Sequence, residues 1–229
     1  MKDETSLKTR GVRRLAITLA SLIVILIPPG GLHFWQGWLF LALQVGFYTF
    51  FFAAFLRNDP KLLERRLHFK ETRPEQKRFQ RLWILLTIPA FILTGADFRF
   101  GWTRQWLGSL PLTLVLFGQA VVVAGYWFVF WVLKTNTFAG STIQVEAQQQ
   151  VIESGPYAIV RHPMYFGMAL SLLASPLALG SVVTLPLFGL LVALLVYRLI
   201  HEERALRQEL PGYSEYCTRT RHRLLPGIW

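Results

Sequence analysis

The chain has 229 residues, of which 53% are hydrophobic and 14% are aromatic. An ordinary soluble domain of this length carries fewer apolar residues, so the composition excludes that class and indicates a membrane protein. The net charge of +11 at pH 7 favours contact with anionic lipid headgroups over nucleic-acid binding.

Six apolar stretches approach the length of about 20 residues that a helix needs to cross a bilayer. They lie at residues 15–34, 38–56, 82–96, 110–133, 164–179 and 182–200. The fifth is short and contains Pro176, so we expect it to stop partway or to tilt against its neighbour. The sequence therefore predicts an all-α, polytopic membrane protein with about six transmembrane helices.

The placement of Lys and Arg predicts the orientation of these helices. Of the 24 basic residues, 22 lie in residues 1–14, 57–81, 134–163 and 198–229. Only Arg99 and Arg104 lie elsewhere. Because cytoplasmic loops carry the excess of positive charge, we expect both termini in the cytoplasm. The first stretch lacks a small-x-small cleavage pattern, so we interpret it as an uncleaved span rather than a signal peptide.

The chain divides into an N-terminal membrane region of four helices, 1–133, and a C-terminal region, 134–229, which holds most polar segments. In the second region, the stretches 164–179 and 182–200 form a helical hairpin. The polar residues on either side of it, "RHPMY" and "YRLIHEER", are therefore expected to meet at one membrane surface. The basic loop 57–81 shows no pattern that indicates chemistry.

The segment "GPYAIVRHPMYFG", 155–167, begins with a turn and leads into the fifth helix. Pro163 suits the first turn of that helix and favours an extended conformation at His162. The N–H groups at the helix start form a partially positive site for a carboxylate or another electron-rich group. Short motifs such as Gly-Pro-Tyr and His-Pro are weak signals on their own.

Charged residues lie at the end of the last apolar helix. Arg198 and Glu202 are four residues apart and share one helical face. A surface ion pair worth about 0.3–0.5 kcal/mol explains this spacing equally well. A polar cluster opposite them at the membrane surface makes a functional site the stronger hypothesis. Tyr213 and Tyr216 in the tail are interpreted either as part of a lipid-facing basic surface or as aromatic groups that close over a flat ligand such as adenine.

Several kinds of chemistry find no support in the sequence. No phosphate-binding or dinucleotide-binding glycine motif follows a strand pattern, and no serine nucleophile motif is present. The five histidines show no metal-ligand spacing, so no metal site is predicted. Cys217 is the single cysteine and excludes an intramolecular disulfide. Metal-dependent and serine-dependent hydrolysis are therefore disfavoured.

Together, "GPYAIVRHPMYFG" and "HEERALRQELPGYSEYCTRTRHRLLPGIW" resemble the isoprenylcysteine carboxyl methyltransferase family of integral membrane methyltransferases. The shared signature is RHPxYxG, a spacer and a paired Glu, and it covers roughly residues 134–229. The resemblance implies that this region is a methyltransferase region with a pocket for S-adenosyl-L-methionine at the cytoplasmic surface. The first four apolar stretches contribute only topology to it.

The resemblance also implies the site residues. It assigns cofactor binding to Gln144, Gln149, Gln150, Val151, Ile152, Tyr157, His162, Pro163, Met164, Tyr165 and Glu202. It assigns the substrate carboxylate to Arg198, the catalytic residue of this scheme. Gln149 stands where many relatives carry His, which leaves that contact open.

A carboxylate acceptor suits these residues chemically. A carboxyl group with a pKa near 4 is already ionised at pH 7, so its methylation needs alignment with the methyl donor and no general base. Arg198 would hold the anion through two hydrogen bonds, and apolar surroundings would exclude water. The predicted substrate is an isoprenylcysteine-like or other lipophilic acceptor that enters from the bilayer. The predicted location is the bacterial inner membrane or the endoplasmic reticulum, depending on the host.

Three alternatives remain at this point. Sterol reductases share the C-terminal pattern but use NADPH, although Pro163 and Met168 favour methyl transfer. Methylation of a phospholipid amine or a small thiol would need a proton acceptor, for which Glu203 or a tyrosine is available. A membrane protein without enzymatic activity would not bind the cofactor at all. The sequence does not identify the methyl acceptor.

Overall fold

The computed structural model describes residues 7, 9, 11–13, 16, 17, 20, 23, 31–67, 73–142, 145 and 148–229. The first predicted span, 15–34, lies largely outside this part of the chain, and so does Gln144. The described residues form helices, turns and loops without a strand. The prediction of an all-α fold is confirmed.

From residue 31 onward, eight α-helices follow one another in the described part of the chain. They are α1 (Trp35–Asn58), α2 (Pro60–Leu67), α3 (Pro74–Phe100), α4 (Trp102–Leu107), α5 (Leu112–Thr135), α6 (Pro163–Ala178), α7 (Leu185–Glu209) and α8 (Tyr213–Arg219). Short 3-10 turns at Gly155–Ala158 and Val182–Thr184 precede α6 and α7. The long loop between α5 and α6 carries residues of the predicted cofactor pocket.

Four of the described helices are long and apolar enough to cross a membrane. They are Trp35–Asn58, Pro74–Phe100, Leu112–Thr135 and Val182–Glu209, the last of which includes the turn before α7. At 16 residues, α6 is about 24 Å long and shorter than the hydrocarbon core. The protein is therefore a multi-pass membrane protein, and the expectation of a short fifth helix is confirmed.

Two helices extend beyond the predicted apolar stretches. α3 starts at Pro74 rather than at 82, and α7 continues to Glu209 rather than ending at 200. The additional residues are rich in Gln, Lys, Arg and Glu, which are good helix formers even where they leave the apolar part of the membrane. The extension of α7 carries Glu202 and Glu203 on a continuous helix.

Small residues let α5 and α6 pack closely. A methyl group added at Gly125 would lie 2.7 Å from the Gly167 carbonyl oxygen, and one added at Gly118 would lie 2.9 Å from the Cα atom of Ala178. Ser171 fills the same interface and donates a hydrogen bond to the Val122 carbonyl at 3.2 Å. This close packing, typical of membrane helices, fixes the position of α6 and hence of its polar start.

The C-terminal tail is attached to the loop that precedes α6. The backbone N–H groups of Arg161 and His162 donate to the carbonyl oxygens of His222 and Arg223, both at 2.9 Å. Tyr216 adds a hydrogen bond from its hydroxyl to the Tyr157 carbonyl at 2.7 Å. The tail therefore closes one side of the space between the start of α6 and the end of α7.

Candidate active site

A cavity of about 630 Å³ lies where the loop between α5 and α6, the start of α6 and the end of α7 meet. This volume is within the usual range for a small-molecule site. Ten of the residues that the resemblance implies line it: Gln149, Gln150, Val151, Ile152, Tyr157, His162, Met164, Tyr165, Arg198 and Glu202. Pro163 begins α6, as predicted, with His162 immediately before the helix.

Tyr165 connects the two predicted polar segments. Its hydroxyl accepts a hydrogen bond from Arg198 Nε at 3.1 Å and donates one to Glu202 Oε2. The segments before and after the α6–α7 hairpin therefore meet directly, as the sequence predicts. Because α6 places Tyr165 between the two charged groups, an anion bound at Arg198 and a cation bound at Glu202 would be neighbours.

Arg198 is held in one orientation by contacts on several sides. Its Nη2 donates to the Ser141 carbonyl at 2.7 Å, and its guanidinium lies 4.9 Å from the centre of the Phe79 ring. Guanidinium groups stack favourably on aromatic faces. Together with the hydrogen bond to Tyr165, these contacts hold the positively charged guanidinium in a fixed orientation beside an apolar wall.

Glu203, the neighbour of Glu202, points away from the cavity into a cluster of basic groups. Its carboxylate lies 3.3 Å from Arg161 Nη2, 3.0 Å from Arg207 Nη2, 3.0 Å from Arg223 Nε and 3.4 Å from His162 Nε2. The side chain is only 4% exposed. Since these donors occupy the carboxylate, it is poorly suited to accept a substrate proton. Glu203 instead joins the loop, α7 and the tail.

Buried tyrosines form the wall next to the tail. Burial raises the pKa of Tyr157 to about 12, and burial also raises the pKa of Tyr213 and of Tyr216 well above the ordinary value. Asn136 Nδ2 donates to the Tyr157 hydroxyl at 3.0 Å. These phenols stay neutral at physiological pH, so they offer aromatic and hydrogen-bonding surface rather than a strong base.

The start of α6 is a weaker anion site than the sequence suggests. The N–H groups of Tyr165 and Phe166 both donate to the His162 carbonyl, at 3.1 and 3.4 Å. These donors are therefore used within the helix. Side chains such as Arg198 supply the positive charge of the cavity more directly than the helix start does.

Several lining residues were missed by the sequence analysis because they come from the N-terminal region. Arg66 of α2 lines the cavity, although the loop 57–81 showed no pattern for chemistry. Phe79, Trp83 and Ile84 of α3 add an apolar wall. Ile84 is also 58% exposed on the outside of this membrane-spanning helix. The apolar wall therefore continues into the lipid-facing surface of the protein.

Metal ligands are not gathered in the described part of the chain. Within the described ranges, no group of three or more His, Cys, Asp or Glu side chains is positioned to hold a metal ion.

Comparison with known proteins gives a family match over a part of the chain that includes much of the cavity lining. Residues 113–211 match the family described as phospholipid methyltransferase. This range begins in α5 and ends just after α7, so it includes Tyr165, Arg198 and Glu202. The resemblance to membrane methyltransferases is thereby confirmed.

Two curated proteins are similar to parts of the chain. The cobalt-zinc-cadmium resistance protein CzcN of Cupriavidus metallidurans is 28% identical over 145 residues, which cover 61% of this chain and 61% of that protein. The Delta(14)-sterol reductase TM7SF2 of Mus musculus is 35% identical over 91 residues, which cover 38% of this chain and 22% of that protein. The chain thus spans less than two thirds of the length of these relatives.

Proposed function

We propose that the chain is a membrane methyltransferase that uses S-adenosyl-L-methionine to methylate a carboxylate on a lipophilic acceptor. The match of residues 113–211 to the phospholipid methyltransferase family supports this proposal. An isoprenylcysteine-like compound is the proposed acceptor. The single observation that carries this proposal is the pair of hydrogen bonds by which Tyr165 joins Arg198 to Glu202 inside one cavity.

The cavity wall next to the C-terminal tail, formed by Tyr157, Tyr213 and Tyr216, is called the tail-side wall. Its residues and the adjacent Glu202 fit the proposed cofactor. Bound there, S-adenosyl-L-methionine supplies an electrophilic methyl group on a positively charged sulfur. The carboxylate of Glu202 suits the positive groups of such a molecule, and Tyr157 and Tyr213 offer faces for its adenine ring. We assign the remaining contacts to the loop residues 149–152 and to the first turn of α6. Gln144 stays a proposed contact outside the described residues.

Arg198 fits the proposed acceptor carboxylate. A guanidinium group binds both oxygens of a carboxylate, and the contacts with Tyr165 and Ser141 fix its direction before the acceptor arrives. An ionised carboxylate needs no proton acceptor, which agrees with the ion-paired state of Glu203. The protein would therefore accelerate the reaction by alignment and by exclusion of water.

The apolar wall supports entry of the acceptor from the bilayer. Trp83 and Ile84 line the cavity from α3, a membrane-spanning helix, and Ile84 is also exposed on its outer face. A prenyl or acyl chain would thus stay in contact with apolar surface while its polar end reaches Arg198.

We propose that the cavity opens to the cytoplasm and that both termini lie on the same side. The proposed location is the bacterial inner membrane or the endoplasmic reticulum. The division into the regions 1–133 and 134–229 also stays a proposal.

A phospholipid with an amine headgroup is the second candidate acceptor, because the matched family is described as phospholipid methyltransferase. An ammonium group must lose a proton before it attacks. Glu202 is the carboxylate in the described cavity lining that would take this role. Methyl transfer to an amine should therefore accelerate as pH rises, whereas transfer to a carboxylate should change little from about pH 7 to about pH 9.

Binding and transfer measurements on two variants test the proposal. Full-length protein in detergent is titrated with S-adenosyl-L-methionine and with NADPH, and transfer is measured with N-acetyl-S-farnesylcysteine. We expect Glu202→Ala to weaken S-adenosyl-L-methionine binding by about tenfold or more, because it removes a charged partner. Arg198→Ala should keep this binding and lose transfer. Arg204→Ala, at an exposed position on the same helix, is the matched control.

The same experiment contains the outcomes that contradict the proposal. Wild-type protein that binds NADPH and not S-adenosyl-L-methionine would support a reductase. Protein that binds neither would exclude both enzymes. Transfer to phosphatidylethanolamine in mixed micelles, without transfer to the carboxylate compound, would support the second candidate.

A further inference from the structure

A second arginine reaches the cavity from outside the two predicted segments. Arg66 Nη1 donates to the Gly140 carbonyl at 3.0 Å, and Arg198 Nη2 donates to the next carbonyl, that of Ser141, at 2.7 Å. Consecutive Cα atoms are only about 3.8 Å apart. The two guanidinium groups, one from α2 and one from α7, are therefore close neighbours on the same short piece of backbone.

The backbone between them is fixed to α2. The Ser141 hydroxyl donates to the Arg66 carbonyl at 2.7 Å, and the Ser141 N–H donates to the Arg65 carbonyl at 3.3 Å. Arg66 also lies 3.7 Å from the sulfur of Met164 at the start of α6. The position of Arg66 in the cavity is thus set by three elements and does not depend on a flexible loop alone.

The charges of the cavity favour an anionic ligand. Among the described lining residues, the charged groups are Arg66, Arg161, Arg198 and Glu202. Arg161 is paired with Glu203, and Glu202 is linked to Arg198 through Tyr165. Positive charge therefore exceeds negative charge beside Arg66. Burial, followed by the positive charge of Arg198, lowers the pKa of Arg66. Both effects disfavour the charged form of Arg66, and a bound anion would offset them.

We propose that Arg66 and Arg198 together bind the carboxylate of the methyl acceptor, so that Arg66 selects anionic acceptors over amines. The identity of the reacting group in this inference rests on the proposed function. A carboxylate has about four acceptor positions for hydrogen bonds. Two arginines can therefore hold it while one lone pair stays available for attack on the methyl group.

The cofactor carries a carboxylate of its own, which is the other anion that Arg66 could bind. The surroundings favour the acceptor. Arg198 lies over Phe79, and Trp83 continues this apolar wall toward the lipid-facing surface. The arginine pair thus lies beside the apolar wall proposed for the lipophilic chain. Tyr213 belongs to the wall proposed for the cofactor, and Glu202 is assigned to the cofactor as well.

Matched probes separate the two sources of the carboxylate. Binding to full-length protein is measured by calorimetry with N-acetyl-S-farnesylcysteine, its carboxamide and the amine S-farnesylcysteamine. Dodecanoate, dodecanamide and dodecylamine form a second series without a prenyl group. S-adenosylhomocysteine reports the cofactor site. The variants are Arg66→Gln and Arg66→Lys, and the control is Lys61→Gln, which removes a positive charge from an exposed position of the same helix outside the cavity lining.

We expect wild-type protein to prefer the carboxylate over the carboxamide in at least one series. Arg66→Gln should weaken carboxylate binding by about ten- to hundredfold, the usual effect of losing a hydrogen bond to a charged group. It should leave the carboxamide and S-adenosylhomocysteine nearly unchanged. Arg66→Lys should keep part of the preference, and Lys61→Gln should match the wild type. A thermal melt of each variant verifies folding.

Three results would overturn the inference. The first is an unchanged ratio of carboxylate to carboxamide binding in folded Arg66→Gln. The second is no carboxylate preference of the wild type in either series. The third is weakened binding of S-adenosylhomocysteine alone in Arg66→Gln, which would assign Arg66 to the cofactor. A failure of the proposed function is distinguishable, since it would abolish methyl transfer while the preference for the anionic probe and its dependence on Arg66 persist.

Discussion

The hydroxyl of Tyr165 lies 3.1 Å from Nε of Arg198, although the two residues are 33 positions apart in the chain. The α6–α7 hairpin returns the chain to the membrane surface where it entered, and this return brings them together. The same hydroxyl donates to Glu202. One side chain thus orients the proposed acceptor-binding group and the proposed cofactor-binding group.

Removal of this hydroxyl should reduce methyl transfer without unfolding the protein. In Tyr165→Phe, Arg198 and Glu202 each lose a hydrogen bond, and we expect kcat/KM to fall by about tenfold or more. Steady-state transfer to N-acetyl-S-farnesylcysteine measures the effect. Tyr197→Phe on α7 is the control for loss of a phenol. Wild-type kcat/KM in Tyr165→Phe would show that the two hydrogen bonds do not orient the site.

Neutralising Glu203 should destabilise the C-terminal region. Glu203→Gln removes the negative charge between Arg161, His162, Arg207 and Arg223. We expect a loss of about 3 kcal/mol, the low end for a broken buried ion pair, because two of the partners reach solvent. The apparent Tm and the urea midpoint measure it.

An exposed ion pair provides the comparison for Glu203. Glu209 pairs with Arg73 at 2.7 Å, and both side chains are well exposed, at 40% and 30%. Glu209→Gln should therefore cost no more than about 1 kcal/mol. Equal effects of the two substitutions would mean that the charge cluster around Glu203 has no special role in stability.

The order of apolar helices was predictable because each leaves a continuous uncharged run in the sequence. The α6–α7 hairpin was predictable for the same reason, and it was sufficient to bring Tyr165 near Glu202. The start of α3 and the end of α7 were not predictable from the uncharged runs, since each helix continues through charged residues where the run stops. Glu202 and Glu203 could not be assigned different environments until the rotation of α7 about its axis was known.

Arg66 illustrates what a local pattern cannot show. It belongs to the segment 57–81, which is rich in Lys and Arg and which the sequence predicts as a loop, and the rule for cytoplasmic loops already explains every positive charge there. Its place in the cavity depends on a hydrogen bond to the Gly140 carbonyl, 74 residues later in the chain. Arg65, its neighbour, contacts the same loop through the Thr137 carbonyl, so only the folded structure shows that Arg66 is the one that lines the cavity.

Alkaline pH should weaken the tail-side wall. Burial raises the pKa of Tyr157 to about 12, from an ordinary value of 10.0. The folded state therefore holds this proton more tightly than the unfolded state. The resulting stability is complete below about pH 10 and is lost as pH rises toward about 12. Urea unfolding at several pH values, with absorbance of ionised tyrosine at each, should show a smaller decline in Tyr157→Phe than in the wild type.

The single cysteine should react slowly while the tail is in place. Cys217 is only 8% exposed, and burial raises the pKa of its thiol. Since the thiolate is the reactive form, both effects lower the rate of alkylation at pH 8. Iodoacetamide labelling followed by mass spectrometry measures this rate, and Glu203→Gln should increase it by loosening the tail. Rapid labelling of the folded wild type would contradict the packing of α8.

A methyl group added at Gly125 should disturb the close contact between α5 and α6 and destabilise the protein. In Gly125→Ala the new Cβ atom would lie 2.7 Å from the Gly167 carbonyl oxygen, which belongs to helix backbone and cannot move aside. We expect a lower apparent Tm and weaker binding of S-adenosyl-L-methionine, because a displaced α6 carries Tyr165 away from Arg198. Gly189→Ala is the matched control, since no atom lies within 4 Å of its added Cβ. That variant should be as stable as the wild type or more so, by up to about 1 kcal/mol from helix propensity. If both variants melt together with the wild type, the tight α5–α6 contact does not position the site.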